Sequence, residues 1–249
     1  MKTYDLIKGL KQEYSKYTKE DFLVWETLFD RQIEQLQRVA HTNYLEGLEK
    51  IGFKASKIHD FEEVNATLAE MTGWEIIVVP GIINQKDFFQ MLANKQFPSS
   101  TWLRSFKNLD YLSEPDMFHD AFGHIPLLTN QVFCDFYQKL GEIGVANIEN
   151  PEIIEKLGRI YWFTVEFGLI KENNELKIYG AGILSSIGET EYSLSDKPLK
   201  LPFDVNKVME QEFDNTVIQN TYFVIDSFEQ LLSSVNDITA NINQIINVN

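Results

Sequence analysis

Cysteine is nearly absent: Cys134 is the only one in 249 residues. No internal disulfide can form, which excludes the small cross-linked secreted scaffolds and fits a reducing compartment. Long hydrophobic runs are missing as well. The longest nearly apolar stretch, Ile76 to Ile83, is interrupted by Pro80 and Gly81 and is far too short to span a bilayer. The opening, MKTYDLIKGLKQEYSKYT, mixes charge with isolated apolar residues and holds no signal-peptide core. Basic residues are also scarce, 22 Lys plus Arg against 37 Asp plus Glu, for a formal charge of -15. Such a surface repels phosphate backbones and anionic lipid. Nucleic acid and membranes are therefore not expected partners, and a soluble, cytoplasmic protein is expected.

What is present is ordinary globular material. Hydrophobic residues at 44% and charged residues at 24% argue against disorder or low complexity. No repeat, polar linker or shift in composition divides the chain, so residues 1–249 read as a single domain with a sizeable core. Apolar residues at three- and four-residue spacing, from Phe22 through Ile51, predict a helix over 18–53 that Thr18 caps and Gly52 ends. Asp60 caps another helix through Leu68. Trp74 to Val79 reads as a strand closed by Pro80-Gly81, Lys86 to Leu92 as helix, and 94–114 as mostly loop. Asp116 to Gly123 reads as a short helix, Gln131 to Ile143 as a longer one, and Asn150-Pro151 as the start of a helix running to about Phe167. Short strands at Leu176–Tyr179 and Thr221–Ile225, and helices at Val205–Phe213 and Ser227–Ile246, complete the pattern. Strands are few and brief with no βαβ rhythm, which points to a mainly α fold with short β-strand pairs, α+β in class.

Four histidines exist, and two share one string, EPDMFHDAFGHIP: His119 and His124. Histidines in such a string are often simple core or surface groups, and five residues is an awkward interval. In a regular helix their side chains diverge by about 140°. They converge only if the helix is distorted, by a π-bulge or a break at Gly123. A third group strengthens the case. Glu166 stands alone among aromatic and aliphatic residues in YWFTVEFGLI, where a buried carboxylate must be protonated, paired or metal-bound. Two neutral imidazoles and one carboxylate form the facial triad of non-haem Fe(II) oxygenases. Zinc fits less well, because HExxH is absent and Cys134 cannot build a thiolate site alone. The other two histidines, His41 and His59, and Cys134 read as structural. The Gly180-Ala-Gly182 run lacks the strand–helix context of a dinucleotide fingerprint.

The strings EPDMFHDAFGHIPLL, YWFTVEFGL and YGAGILSSIGE, in this order, closely resemble the catalytic domain of the pterin-dependent aromatic amino acid hydroxylases, and most of all its short bacterial phenylalanine-hydroxylating members. The resemblance runs from about Trp25 to Phe228. It implies that fold, with Fe(II) and a tetrahydropterin such as tetrahydrobiopterin as cofactors and O2 as co-substrate. The implied reaction is ring hydroxylation of an L-aromatic amino acid, L-phenylalanine to L-tyrosine ahead of tryptophan or tyrosine, in phenylalanine catabolism. Carried over by position, His119, His124 and Glu166 are the iron ligands, and Arg104 holds the substrate carboxylate with Asp116 beside it. Phe122 and Trp162 line the ring pocket, and Ser185 hydrogen-bonds His119. Gly81, Ile82, Ile83 and Phe88 cradle the pterin, which Asp120 contacts through water. Asp120 is often Glu in animal members. The resemblance further implies no N-terminal regulatory domain, no long tetramerisation tail, and a monomer. Arg104 suits its role chemically, being the only basic residue between Lys95 and Lys107 and a planar bidentate donor. A zinc hydrolase and a catalytically silent binding protein are the alternatives from other classes.

Overall fold

Thr18 opens the first long helix. Its hydroxyl accepts from the Asp21 N–H at 3.3 Å while Asp21 Oδ2 accepts from the Thr18 N–H at 2.7 Å, so two otherwise orphaned donors are satisfied. The computed structural model, which describes residues 3–110, 112 and 114–248, ends this helix, α1 (Lys19–Val39), well short of residue 53. Ala40 turns to extended backbone, and the His41 N–H bonds the Ile178 carbonyl at 2.9 Å. His41 then caps α2 (Thr42–Ile51), its Nδ1 accepting from the Asn43 N–H at 3.2 Å. The one predicted helix is therefore two, because a tertiary bridge and a side-chain cap both compete with the helical ladder at this joint. α3 (Phe61–Met71) follows, capped by Asp60.

The segment read as mostly loop holds a strand. β1 (Glu75–Val78), α4 (Gln85–Ala93) and β2 (Gln96–Ser99) form a parallel pair with a helical crossover, in register from Glu75↔Gln96 to Val78↔Ser99. This corrects the expectation that no βαβ unit exists. Its second strand is only Gln-Phe-Pro-Ser, and Pro98 is tolerated because the strand is an edge. α5 (Gln131–Ala146), capped by Asn130, and α6 (Pro151–Tyr161), capped by Asn150 with proline in its first turn, begin where the sequence places them.

A hairpin comes next, β3 (Leu169–Glu172) and β4 (Glu175–Ile178), turned through Asn173 and Asn174 at φ 52° and 65°. Both positions need positive φ in such a two-residue turn, and asparagine tolerates it. Then follow α7 (Ala181–Leu184), α8 (Ile187–Leu194), β5 (Leu199–Pro202), α9 (Val205–Glu210), β6 (Thr221–Ile225), α10 (Phe228–Ser233) and α11 (Val235–Val248). The helix predicted over 205–213 ends at Glu210, and the final helix is divided at Ser234. The strands assemble as β4-β3-β6-β5, with β6 parallel to both neighbours. The class is the expected mix of predominant helices and short strands. Aromatic residues from many elements, among them Trp25, Tyr44, Trp74, Phe118, Tyr137 and Phe163, fill one continuous core. Among the described residues no helix is long and apolar enough to cross a membrane.

Candidate metal centre and its pocket

The two histidines share a face because Phe118–His124 is a π-helix. Its i→i+5 turn brings residues five apart nearly above one another, where an α-helix would splay them. Their rings meet edge to face at 5.0 Å, with Nε2 of His124 3.3 Å from Nε2 of His119. Asp116 fixes the start of this helix, its Oδ1 accepting from the His119 N–H at 3.2 Å. A second π segment carries Glu166. The helix expected to run to about Phe167 is α-helical only to Tyr161; Trp162–Glu166 is a π-turn, closed by the Phe167 N–H on the Trp162 carbonyl at 2.8 Å. The extra residue per turn re-aims the carboxylate. Gly180 lets this turn approach α7: a Cβ there would stand 2.5 Å from both the Glu166 carbonyl oxygen and the Gly168 nitrogen.

Glu166 Oε1 lies 3.1 Å from His124 Nε2, and Oε2 lies 3.6 Å from His119 Nε2. One ligand atom from each of the three lies within 4.8 Å of the others, and among the described residues no other cluster of His, Cys, Asp or Glu does this. Burial alone would push the Glu166 carboxyl up, but the adjoining imidazoles, with a contribution from the Tyr161 hydroxyl, hold it well below the usual range. Burial keeps the His119 imidazole neutral, down to about 4. The donor set is thus one anion and neutral imidazole. Ser185 settles the tautomer. Its hydroxyl donates to the Ala181 carbonyl at 2.8 Å, so toward His119 Nδ1, 2.9 Å away, it serves as acceptor. Nδ1 therefore carries the proton, and the Nε2 lone pair faces the cluster. The residues fit a divalent transition metal.

Arg104 and Asp116 form a locked pair. Asp116 is fully buried and accepts from Arg104 Nε and Nη2, each at 2.9 Å, and from the Arg104 backbone N–H at 2.9 Å. Nη1 donates to the Leu109 carbonyl at 3.1 Å. Three of the five guanidinium N–H donors are thereby engaged, which leaves two for a ligand. Asp120 Oδ2 accepts from the Ser100 N–H at 2.8 Å, yet burial still pushes its carboxyl up to about 7.

The aromatics expected around the substrate ring divide. Phe122 is fully buried, stacked on Phe118 at 4.7 Å and met edge-on by Phe29 at 5.2 Å. Its ring is enclosed by these core aromatics. Trp162 sits half-buried between Phe213, stacked at 4.3 Å, and Phe167 at 4.6 Å, its indole N–H donating to Gln219 Oε1 at 3.1 Å. It opens the π-turn and packs as an aromatic wall between these two rings.

The segment expected to hold a pterin is tied down from the N-terminal side. The Tyr4 N–H donates to the Ile82 carbonyl at 2.7 Å, and the Tyr4 ring lies against Gly81, where a Cβ would meet it at 2.8 Å. Ile83 is buried with Val79 and Met91. Phe88 reaches the centre through Tyr161, edge to face at 5.1 Å. Sequence reasoning missed Tyr161 and Phe97. Phe97 packs on the His124 ring at 4.7 Å from β2, a strand not foreseen. Tyr161 lies five residues before Glu166, a relation that gains meaning only in a π-turn.

Comparisons with known proteins agree with this geometry. The family model described as biopterin-dependent aromatic amino acid hydroxylase matches residues 4–249. The chain is 45% identical over 226 residues to a phenylalanine-4-hydroxylase of Ralstonia nicotianae, covering 90% of this chain and 72% of that protein. A Chromobacterium violaceum phenylalanine hydroxylase crystal structure with bound oxidised Fe(III) superimposes with TM-score 0.90 at 44% identity, over 93% of this chain and 84% of that one. Another from that organism, with iron(III) and 7,8-dihydrobiopterin, gives TM-score 0.89 at 43% identity over 94% and 86%.

Proposed function

The chain belongs to the biopterin-dependent aromatic amino acid hydroxylases, and from that premise we propose how its residues convert L-phenylalanine to L-tyrosine. It is an iron- and tetrahydropterin-dependent monooxygenase. His119, His124 and Glu166 hold Fe(II), which when bound supplies dioxygen activation with two electrons from the pterin, one oxygen atom entering the ring and the other leaving on the pterin. The observation that carries this reading is the convergence of two Nε2 atoms and one carboxylate from two π-helical segments.

Each remaining residue orients a partner. The two free N–H donors of Arg104 take the amino acid carboxylate, while Asp116 keeps the guanidinium plane from turning. Trp162, backed by Phe213, walls the substrate ring. Gly81 to Ile83 offer backbone and Phe88 a flat face to the pterin, and Asp120 contacts it through water. Holding three reactants in register and excluding bulk water is the protein's share of the rate. The whole chain acts as one catalytic domain, a cytoplasmic monomer. Its charge of -15 favours separated copies and disfavours nucleic acid and anionic membranes as partners.

The decisive test is product identification by mass spectrometry after incubation with Fe(II), a tetrahydropterin, O2 and each of Phe, Tyr and Trp. Tyrosine from phenylalanine is expected, and His119→Ala, His124→Ala and Glu166→Gln should each lose iron and turnover. Product only from tryptophan or tyrosine would reassign the substrate. Hydrolysis with zinc, or no metal uptake at all, would overturn the oxygenase reading.

A further inference from the structure

Tyr44, on α2, is fully buried and has no part in the roles given above. Its hydroxyl donates to the Phe122 carbonyl at 2.8 Å, inside the π-helix and between the two histidines. The two rings meet edge to face at 6.0 Å. Burial raises the phenol well above its ordinary range, so it keeps its proton and stays a donor. The chain around Phe122 leaves this carbonyl poorly served. In a regular α-helix it would accept from residue 126, but Pro126 has no N–H. The Ile125 N–H goes to the Ala121 carbonyl, and Leu127 lies in the 3-10 helix Ile125–Thr129, whose donors turn three residues back. A buried carbonyl needs a partner, and Tyr44 brings one from 78 positions away. α2 is seated closely at this point: a Cβ on Gly47 would stand 2.1 Å from the Pro126 carbonyl oxygen.

We propose that Tyr44 is a positioning residue for the metal centre: its bond to the Phe122 carbonyl holds the π-helical turn in the winding that brings His119 and His124 onto one face. Asp116 fixes that helix from the His119 side, and Tyr44 fixes it from the His124 side. Without the Tyr44 hydroxyl the carbonyl must find another donor, and the turn reaches one by rewinding, which swings the two imidazoles apart. Groups behind the ligands commonly set ligand geometry, and losing one costs about 10–100-fold in metal affinity or activity.

The inference rests on the iron reading and is tested with Co(II) alone, by chelator competition and by the visible d–d absorption of the bound ion, beside the melting temperature of the metal-free protein. Y44F keeps the ring and removes the hydroxyl, and should weaken Co(II) binding about tenfold and shift the absorption. Y14F is the control, because Tyr14 also donates to a main-chain carbonyl, that of Ile58 at 2.8 Å, outside both π segments. It should leave both Co(II) readouts at their wild-type values. Wild-type affinity and spectrum in Y44F, or an equal change in Y14F, would overturn the proposal. Pro126→Ala separates positioning from mere satisfaction of the carbonyl, since it gives residue 126 an N–H. Added to Y44F it should restore the melting temperature but not Co(II) affinity, because the donor it supplies is the one a regular helix uses. The double variant therefore carries the test even if Y44F alone fails to fold. Pro126→Ala by itself should bind Co(II) as the wild type does, with Tyr44 still holding the carbonyl. Restored affinity in the double variant, or an equal loss in Pro126→Ala alone, would overturn the assignment to Tyr44. Failure of the wild-type protein to bind Co(II) or Fe(II) would instead sink the metal reading itself.

Discussion

Asp116 does two jobs with one carboxylate, locking Arg104 and capping the π-helix that carries both histidines. Asp116→Ala should therefore cost about 3–5 kcal/mol of stability, since it strands a mostly buried guanidinium. Urea unfolding checks this; a loss below about 1 kcal/mol would mean that the guanidinium finds solvent. Arg104→Ala should raise KM for the amino acid far more than KM for the pterin, and equal changes would move the clamp elsewhere. Ser185→Ala frees the His119 tautomer and should weaken iron binding about 10–100-fold, read by equilibrium dialysis. At this scale much was legible. A lone acid in an apolar run announces itself chemically, and so does a lone arginine. The packing of Phe122 against Phe29 and Phe118 was not readable, because nothing in sequence says which aromatic rings meet.

Between α7 and the π-turn there is no room for a methyl group. Gly180→Ala should push the Glu166 segment aside, lowering the melting temperature, with an overpacking cost of about 1–3 kcal/mol, and weakening metal binding together. A variant that kept iron and stability would show that the contact relaxes without consequence. Helix starts were legible at Thr18, Asp60 and Asn150, where a polar side chain caps the first turn. Helix interruptions were not. The joint at Ala40 and His41 depends on Ile178, which lies far along the chain. β2, β3 and β5 are four residues each, too short for alternation to stand out.

Taken whole, the metal-free protein should be sensitive to alkali through one buried acid. Burial raises Asp120 from 3.8 to about 7, so between these values the folded state binds more protons than the unfolded one. Stability from this group is full below 3.8 and is lost as pH rises through 7. Asp120→Asn removes that loss. The gap in melting temperature between variant and wild type should widen from about pH 5 to about pH 8, and parallel curves would show that Asp120 does not titrate there. Fold class and the order of the functional strings were legible over the whole chain. The assembly of the sheet, with β6 between β3 and β5, was not, because it is decided by pairings between distant segments.

Both ligand-bearing stretches are wound with one residue more than each turn of a regular helix needs. Removing a single amino acid from either, near Ala121 or near Thr164, would let the spiral relax into its commoner form with shorter, better-aligned hydrogen bonds. The shortened protein would gain local regularity and surrender its grip on the metal, so the irregular winding persists against the preference of its own backbone.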